Sequence, residues 1–162
     1  MRYFTAELWE QINSENDGVR EKANQKWDKN CEEYFSRLAL NKQRFSPEVY
    51  DFLSSITFHG FRIVSVTIVH DNIGNLYPVN VEINLTNGRE EWMIKYRNVR
   101  DVQLSYNSGN SDFSKTRGFD EWGYDELLDV DETKMSHEIL FASGASLRIE
   151  FENQMISLSK KG

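Results

Sequence analysis

Apolar and polar residues alternate strictly from Val79 to Thr86. Asn87-Gly88 follows, and a second alternating run passes through Trp92, Ile94 and Tyr96. A period of two marks a strand with one buried face, and Asn-Gly tolerates the positive φ angles that a tight type I′ turn requires. A two-residue loop at that point sets Ile83 opposite Trp92, Val81 opposite Ile94 and Val79 opposite Tyr96, so one face of the hairpin is apolar. On this register Trp92 is the centre of the core. The same face extends to a preceding strand over Phe61 to His70, rich in β-branched residues, with Val64, Val66 and Ile68 on one side. A four-residue loop, Asp71-Asn72-Ile73-Gly74, places Val66 opposite Val79 and Val64 opposite Val81.

Before Thr57 the period is 3.6 instead. Thr5 caps a short helix with Leu8, Trp9 and Ile12 on its apolar edge. Ser14 and Asp17 resemble a capping box that starts one long helix reaching about Arg44. Its apolar arc is Val19, Ala23, Trp27, Cys31, Tyr34, Phe35 and Leu38, the pattern of a helix lying on something. Ser46-Pro47 begins a third helix, with Val49, Phe52, Leu53 and Ile56 at helical spacing. After Tyr96 the reading is a turn around residues 97–100, a strand with Val102, Leu104 and Tyr106 on one side, and a Ser, Gly and Asn-rich surface loop over 107–118.

The C-terminal part reads as a meander. The loop Ala142-Ser143-Gly144 sets Ile139 opposite Leu147, His137 opposite Ile149 and Glu138 opposite Arg148. A turn at Asn153-Gln154 then sets Phe151 across from Ile156 and Ile149 across from Leu158. Helices followed by strands, without βαβ alternation, predict an α+β fold. The expectation is a single domain over residues 1–162, helical over 1–57 and β over 58–162. Its antiparallel sheet has about seven strands, and the long helix lies across it or closes one end.

Composition narrows the class. A chain of 162 residues with 39% apolar residues can bury a sizeable core. The single cysteine, Cys31, excludes an internal disulfide and a cysteine-rich zinc site. The opening residues carry no apolar signal-like run, and no stretch approaches the ~18 apolar residues of a membrane span. A cytoplasmic protein without a membrane association is therefore expected. The net charge of −7 and a pI near 5.0 argue against a nucleic-acid partner. The location of the charge says more than its size. Asp120, Glu121, Asp125, Glu126, Asp129, Asp131 and Glu132 fall within one segment that holds no Lys or Arg, and without them acids and bases balance.

Met1-Arg2-Tyr3-Phe4-Thr5-Ala6-Glu7-Leu8-Trp9-Glu10-Gln11-Ile12-Asn13, Phe58-His59-Gly60, Trp122-Gly123-Tyr124-Asp125-Glu126 and Ser136-His137-Glu138-Ile139-Leu140 together resemble an uncharacterised family of small proteins from Firmicute, Bacillus-type bacteria. The resemblance spans nearly the whole chain and implies a cytoplasmic bacterial protein. It implies no activity, because the family's function is unknown. Gly60 stands where relatives tend toward an acid, which weakens any functional His-Asp pair there.

Candidate chemistry is sparse. His70 precedes Asp71 and His137 precedes Glu138, but neighbours in a strand face opposite sides, so only one of each pair can aim at a shared site. The registers put His70 and His137 on the core-facing side near strand ends, where a rim histidine held by a hydrogen bond is the commoner outcome. His59 has no assigned orientation. Motifs for a serine nucleophile, a phosphate-cradling loop or a dinucleotide are absent. Cys31, mid-arc on a helix, reads as an inert buried thiol. No catalytic residue, metal or cofactor is expected.

The acidic segment is the exception, since Phe119, Trp122 and Tyr124 are interleaved with its acids. Aromatic residues in a concentrated negative field suit recognition of a basic protein partner, with Asp120, Glu121, Trp122, Tyr124, Asp125 and Glu126 as the contact set. The aromatic rings can equally turn inward and anchor the segment to the sheet. The first functional expectation is thus a non-enzymatic protein-interaction module with an acidic, aromatic-bearing surface. The alternative is a small-ligand-binding protein or enzyme with a pocket between helix and sheet, walled by Trp9, Trp27 and Tyr34. An apolar pocket beside His70 or His137 favours the alternative, and a filled core favours the first. Self-association through an edge strand is a third possibility. Partner identity and oligomeric state are not specified by the sequence.

Overall fold

A computed structural model of the chain describes residues 1–107 and 117–161, so most of the loop expected over 107–118 lies outside the described residues. The N-terminal third is helical: α1 (Ala6–Ile12), α2 (Asp17–Leu40), a 3₁₀ turn (Lys42–Arg44) and α3 (Pro47–Ser55). Capping chemistry sets the helix starts. Thr5 Oγ1 accepts from the Leu8 N–H and Ser46 Oγ from the Val49 N–H, both at predicted caps. Asn16, not Ser14, caps α2 by accepting from the Val19 N–H, and α2 ends at Leu40 rather than near Arg44.

Among the described residues eight strands follow: β1 (Arg62–His70), β2 (Val79–Thr86), β3 (Glu91–Tyr96), β4 (Asp101–Ser105), β5 (Trp122–Asp129), β6 (Lys134–Phe141), β7 (Ser146–Glu152) and β8 (Ile156–Lys161). The fold is α+β with antiparallel pairing. It holds two four-stranded sheets, ordered β1-β2-β3-β8 and β4-β7-β6-β5, in place of one sheet of about seven strands. Two features account for the difference. Strand β5 is the acidic segment, which does not alternate and was not predicted as a strand. The chain also changes sheets at two corners. After β3 it crosses so that β4 pairs with β7, and after β7 it crosses back so that β8 pairs with β3 rather than folding against β7. Phe151 and Ile156 therefore lie on different sheets. Each corner is turned by a non-glycine residue in the left-handed region, Asn98 (φ 49°) and Gln154 (φ 63°). Both have their backbone N–H groups bonded, to Asn80 Oδ1 and to the Arg44 carbonyl.

The β6–β7 hairpin has the predicted pairs, with Ile139 opposite Leu147, His137 opposite Ile149 and Glu138 opposite Arg148. The β2–β3 hairpin does not. Its loop has four residues, with Asn87 Oδ1 accepting from the N–H groups of Arg89 and Glu90, so Leu85 faces Trp92, Ile83 faces Ile94 and Val81 faces Tyr96. A shift of two residues changes partners but keeps the inward face. The β1–β2 connection is likewise longer, with Val66 opposite Ile83 and Ile68 opposite Val81. A bulge between Ile63 and Ser65 reverses the alternation, so that Ile63 packs on the core and Val64 is 64% exposed.

The inner faces of the sheets form one core of Val81, Ile83, Leu85, Ile94, Tyr96, Trp122, Met135, Ile139, Phe141, Leu147, Ile149 and Phe151. Trp122 is its largest fully buried side chain. Trp92, expected at the centre, is only partly buried and packs at an angle against Phe52 and Phe58 near α3. The helices lie over two sheet edges, with α1 on α2, α2 against β5 and α3 against β8.

Candidate functional site

Strand β5 builds the site. Gly123 sits in a bulge between Trp122 and Tyr124, where a Cβ would lie 2.4 Å from carbons of the Trp9 ring and 2.9 Å from the Leu140 carbonyl oxygen. Only glycine fits there. The bulge matters because residues three apart in a regular strand face opposite sides. Here the Trp122 indole N–H reaches back to donate to Asp125 Oδ1 at 2.9 Å. The other carboxylate oxygen, Oδ2, lies 2.9 Å from His137 Nε2, and the Tyr96 hydroxyl lies 2.6 Å from His137 Nδ1. An ionised carboxylate can only accept, so Nε2 carries a proton, and with a neutral ring the Tyr96 hydroxyl donates to Nδ1. Burial, and then the charge of Asp125, push the Tyr96 phenol upward, so it keeps its proton.

Tyr96, Trp122 and His137 are all fully buried, whereas the Asp125 side chain retains 21% of its exposure. His137 is thus a core residue in mid-strand, not the rim residue expected. His70, expected on the core side, is exposed at the end of β1. His59 is exposed and its Nδ1 meets the Gly123 carbonyl oxygen at 2.7 Å, beside the Tyr124 ring.

Glu126 faces the opposite side of β5 from Asp125. Its fully buried carboxylate accepts three backbone N–H bonds, from Arg2 at 2.7 Å and from Tyr3 and Phe4 at 2.6 Å each. This tether sets the Phe4 ring against Trp27, Tyr34 and Tyr124, at centroid distances of 4.7, 5.3 and 6.2 Å. Trp27 packs edge-on against Tyr124 at 4.4 Å, and Tyr34 against Phe35 at 5.2 Å. Tyr34 is pinned in turn, because its hydroxyl oxygen accepts the Leu127 N–H of β5.

These contacts enclose a cleft of about 290 Å³. One wall is α2, through Trp27, Cys31, Tyr34 and Phe35, which share a helical face. The end of α3 and the chain after it, residues 53–58, form the other. Phe4, Tyr124 and Asp125 complete it, and no Lys or Arg lines it. Burial first, and then nearby negative charge, raise the Tyr34 phenol and the Cys31 thiol above their ordinary values, the charge being Asp125 for Tyr34 and Asp28 for Cys31. Burial is also the main cause of the upward shift at Tyr124. The wall therefore presents neutral hydroxyls and a protonated thiol, and Asp125 is its one carboxylate.

The six residues expected to meet a basic partner thus occupy different settings. Trp122 and Glu126 are fully buried and have no surface to offer. Asp125 and Tyr124 face the cleft. Asp120 accepts from the Ser143 N–H and pairs with Arg117, and Glu121 is exposed. Among the remaining acids, Asp129 forms a two-point pair with Arg37 and Asp131 pairs with Lys134. Of the three aromatics expected in a helix–sheet pocket, Trp27 and Tyr34 line the cleft. Trp9 packs on Tyr124 from outside it and lines a separate, more open depression of about 460 Å³. Phe4 was not anticipated, since its position depends on a carboxylate 122 residues away. Among the described residues no group of three or more His, Cys, Asp or Glu side chains is disposed to hold a metal ion, and no helix is long and apolar enough to cross a membrane. The chain matches no protein-family model, no curated protein and no solved structure.

Proposed function

We propose that the protein binds a small organic ligand in the cleft between α2, the end of α3 and β5. One observation carries this reading: an aromatic-walled cavity of about 290 Å³ is lined by a single carboxylate whose orientation is held by fully buried donors, the Trp122 indole and the His137 imidazole. Small-molecule sites are typically concave and apolar, with a few fixed polar groups. A polar group held by a buried hydrogen-bond network is preorganised, so binding costs little reorientation. A network of this kind is also costly to keep in a core unless every member is satisfied, which Asp125, His137, Trp122 and Tyr96 are. The interaction reading loses two of its six contacts, Trp122 and Glu126, to burial, although the core around His137 is filled, as that reading expects, and the cleft reaches His137 only through Asp125.

The test is a ligand-observed NMR screen of single-ring fragments against the native protein and a cleft-filling variant, Cys31→Phe. The expected result is a set of fragments that bind the native protein and are lost in the folded variant. Identical hits in both proteins, or no hits in either, would remove the cleft from consideration.

A further inference from the structure

We infer that the ligand is an organic cation, an ammonium group on an apolar or aromatic body, bound with its charge toward Asp125. The inference rests on the cleft being the ligand site and adds the chemistry of the ligand.

Three observations converge on it. The first is unbalanced charge. Asp129 is matched by Arg37 and Asp131 by Lys134, but the hydrogen bonds to Asp125 come from an indole and an imidazole, and the cleft lining holds no Lys or Arg. A carboxylate at 21% exposure gains most from a cation delivered into partly desolvated surroundings. The second is the wall. Phe4 packs on Trp27, Tyr34 and Tyr124, and Trp27 on Tyr124, at centroid distances of 4.4–6.2 Å in tilted or edge-on pairs, and all four rings line the space. Ring faces attract cations, Trp most strongly, and they repel anions. The third is the state of the other polar groups. The Tyr34 hydroxyl oxygen already accepts a backbone N–H, and the Cys31 thiol is held protonated, so neither competes for a cation as a second negative charge. The cleft volume suits a body of one ring or a short branched chain. A chain of net charge −7 also draws cations toward it from solution.

The test compares three ligands of similar size and different charge: phenethylammonium, phenethyl alcohol and phenylacetate. They are titrated into the native protein and followed through the indole N–H signals by NMR. The expected order is the cation first, binding about tenfold more tightly than the alcohol, with the carboxylate undetectable. Asp125→Asn keeps the shape of the side chain and an acceptor for Trp122, and it should bring cation and alcohol to within about a factor of two. If cation and alcohol bind the native protein equally, or the carboxylate binds best, the cation assignment falls while the cleft remains a ligand site. If folded Asp125→Asn keeps the tenfold preference, Asp125 is not the counter-charge. If none of the three perturbs the protein, the reading of the cleft falls as well. Should Asp125→Asn fail to fold, the three-ligand comparison on the native protein decides the matter by itself.

Discussion

Two neighbouring carboxylates, Asp125 and Glu126, do different work because adjacent residues in a strand face opposite ways. Asp125 turns toward the cleft, held by a tryptophan and a histidine. Glu126 turns toward the N-terminal segment and gathers three backbone N–H groups that would otherwise be left without partners in a buried place. Charge-assisted bonds of this kind are among the stronger ones. Glu126→Gln should destabilise the protein by about 2 kcal/mol, because the amide Nε2 brings a donor where one of the N–H groups needs an acceptor. Urea unfolding would measure the loss. A change under about 0.5 kcal/mol would mean that the segment is not held by this side chain. The legibility of these residues in the sequence was uneven. That Asp125 and Glu126 point apart follows from β geometry once the segment is known to be a strand. The partners of each do not follow, since Tyr96 and Phe4 lie far away along the chain.

At the scale of elements, α2 is fastened to β5 at both ends of their contact. Trp27 meets Tyr124 toward one end, and Arg37 grips Asp129 at the other through two bonds of 2.7 and 2.9 Å. The guanidinium of Arg37 is the main cause holding the Asp129 carboxyl below its ordinary value of 3.8. A carboxyl lowered in the folded state adds stability above its unfolded value, and that stability is lost as pH falls through the lower, folded value. Arg37→Met should therefore cost about 1 kcal/mol at neutral pH, a modest figure for a partly exposed pair. The gap from the native protein should close as pH drops below 3.8. Urea midpoints across that range would show it, and a gap independent of pH would exclude the ion pair as its source.

Helices themselves were readable from the sequence because their signals are local: Thr5 and Ser46 accept from N–H groups three residues further on, and apolar spacing marks the packed face. Strand β5 was not readable. Its bulge at Gly123 breaks the alternation, and three of its acids are satisfied by distant groups: the backbone of residues 2–4, His137 and Arg37.

For the whole molecule, the core lies between two sheets, and Trp122 is its largest fully buried side chain. Trp92 stands beside it under α3, with its indole N–H toward Glu90 and Lys160 near its ring. Trp122→Ala should cost about 3–5 kcal/mol, as large aromatic truncations in a sealed core do. Trp92→Ala should cost about 2 kcal/mol, since only part of the ring is removed from water. Chemical denaturation of both variants checks the order, and a larger loss at Trp92 would contradict the two-sheet core.

Alternation and capping, which act over a few residues, were enough to specify the α+β class, the starts of α1 and α3, the β6–β7 register and the inward face of the β2–β3 hairpin. The division into two sheets was decided only by the tertiary structure. Backbone ladder bonds are the same for any pair of strands, and an apolar face records that it is buried, not which face it is buried against. Asn98 and Gln154 turn corners whose consequence appears only when β4 and β8 find their neighbours. The cleft was decided in the same way. Its parts are an aromatic helix face, a tethered Phe4 and a carboxylate among buried donors, and each is unremarkable in the chain until folding brings the three together.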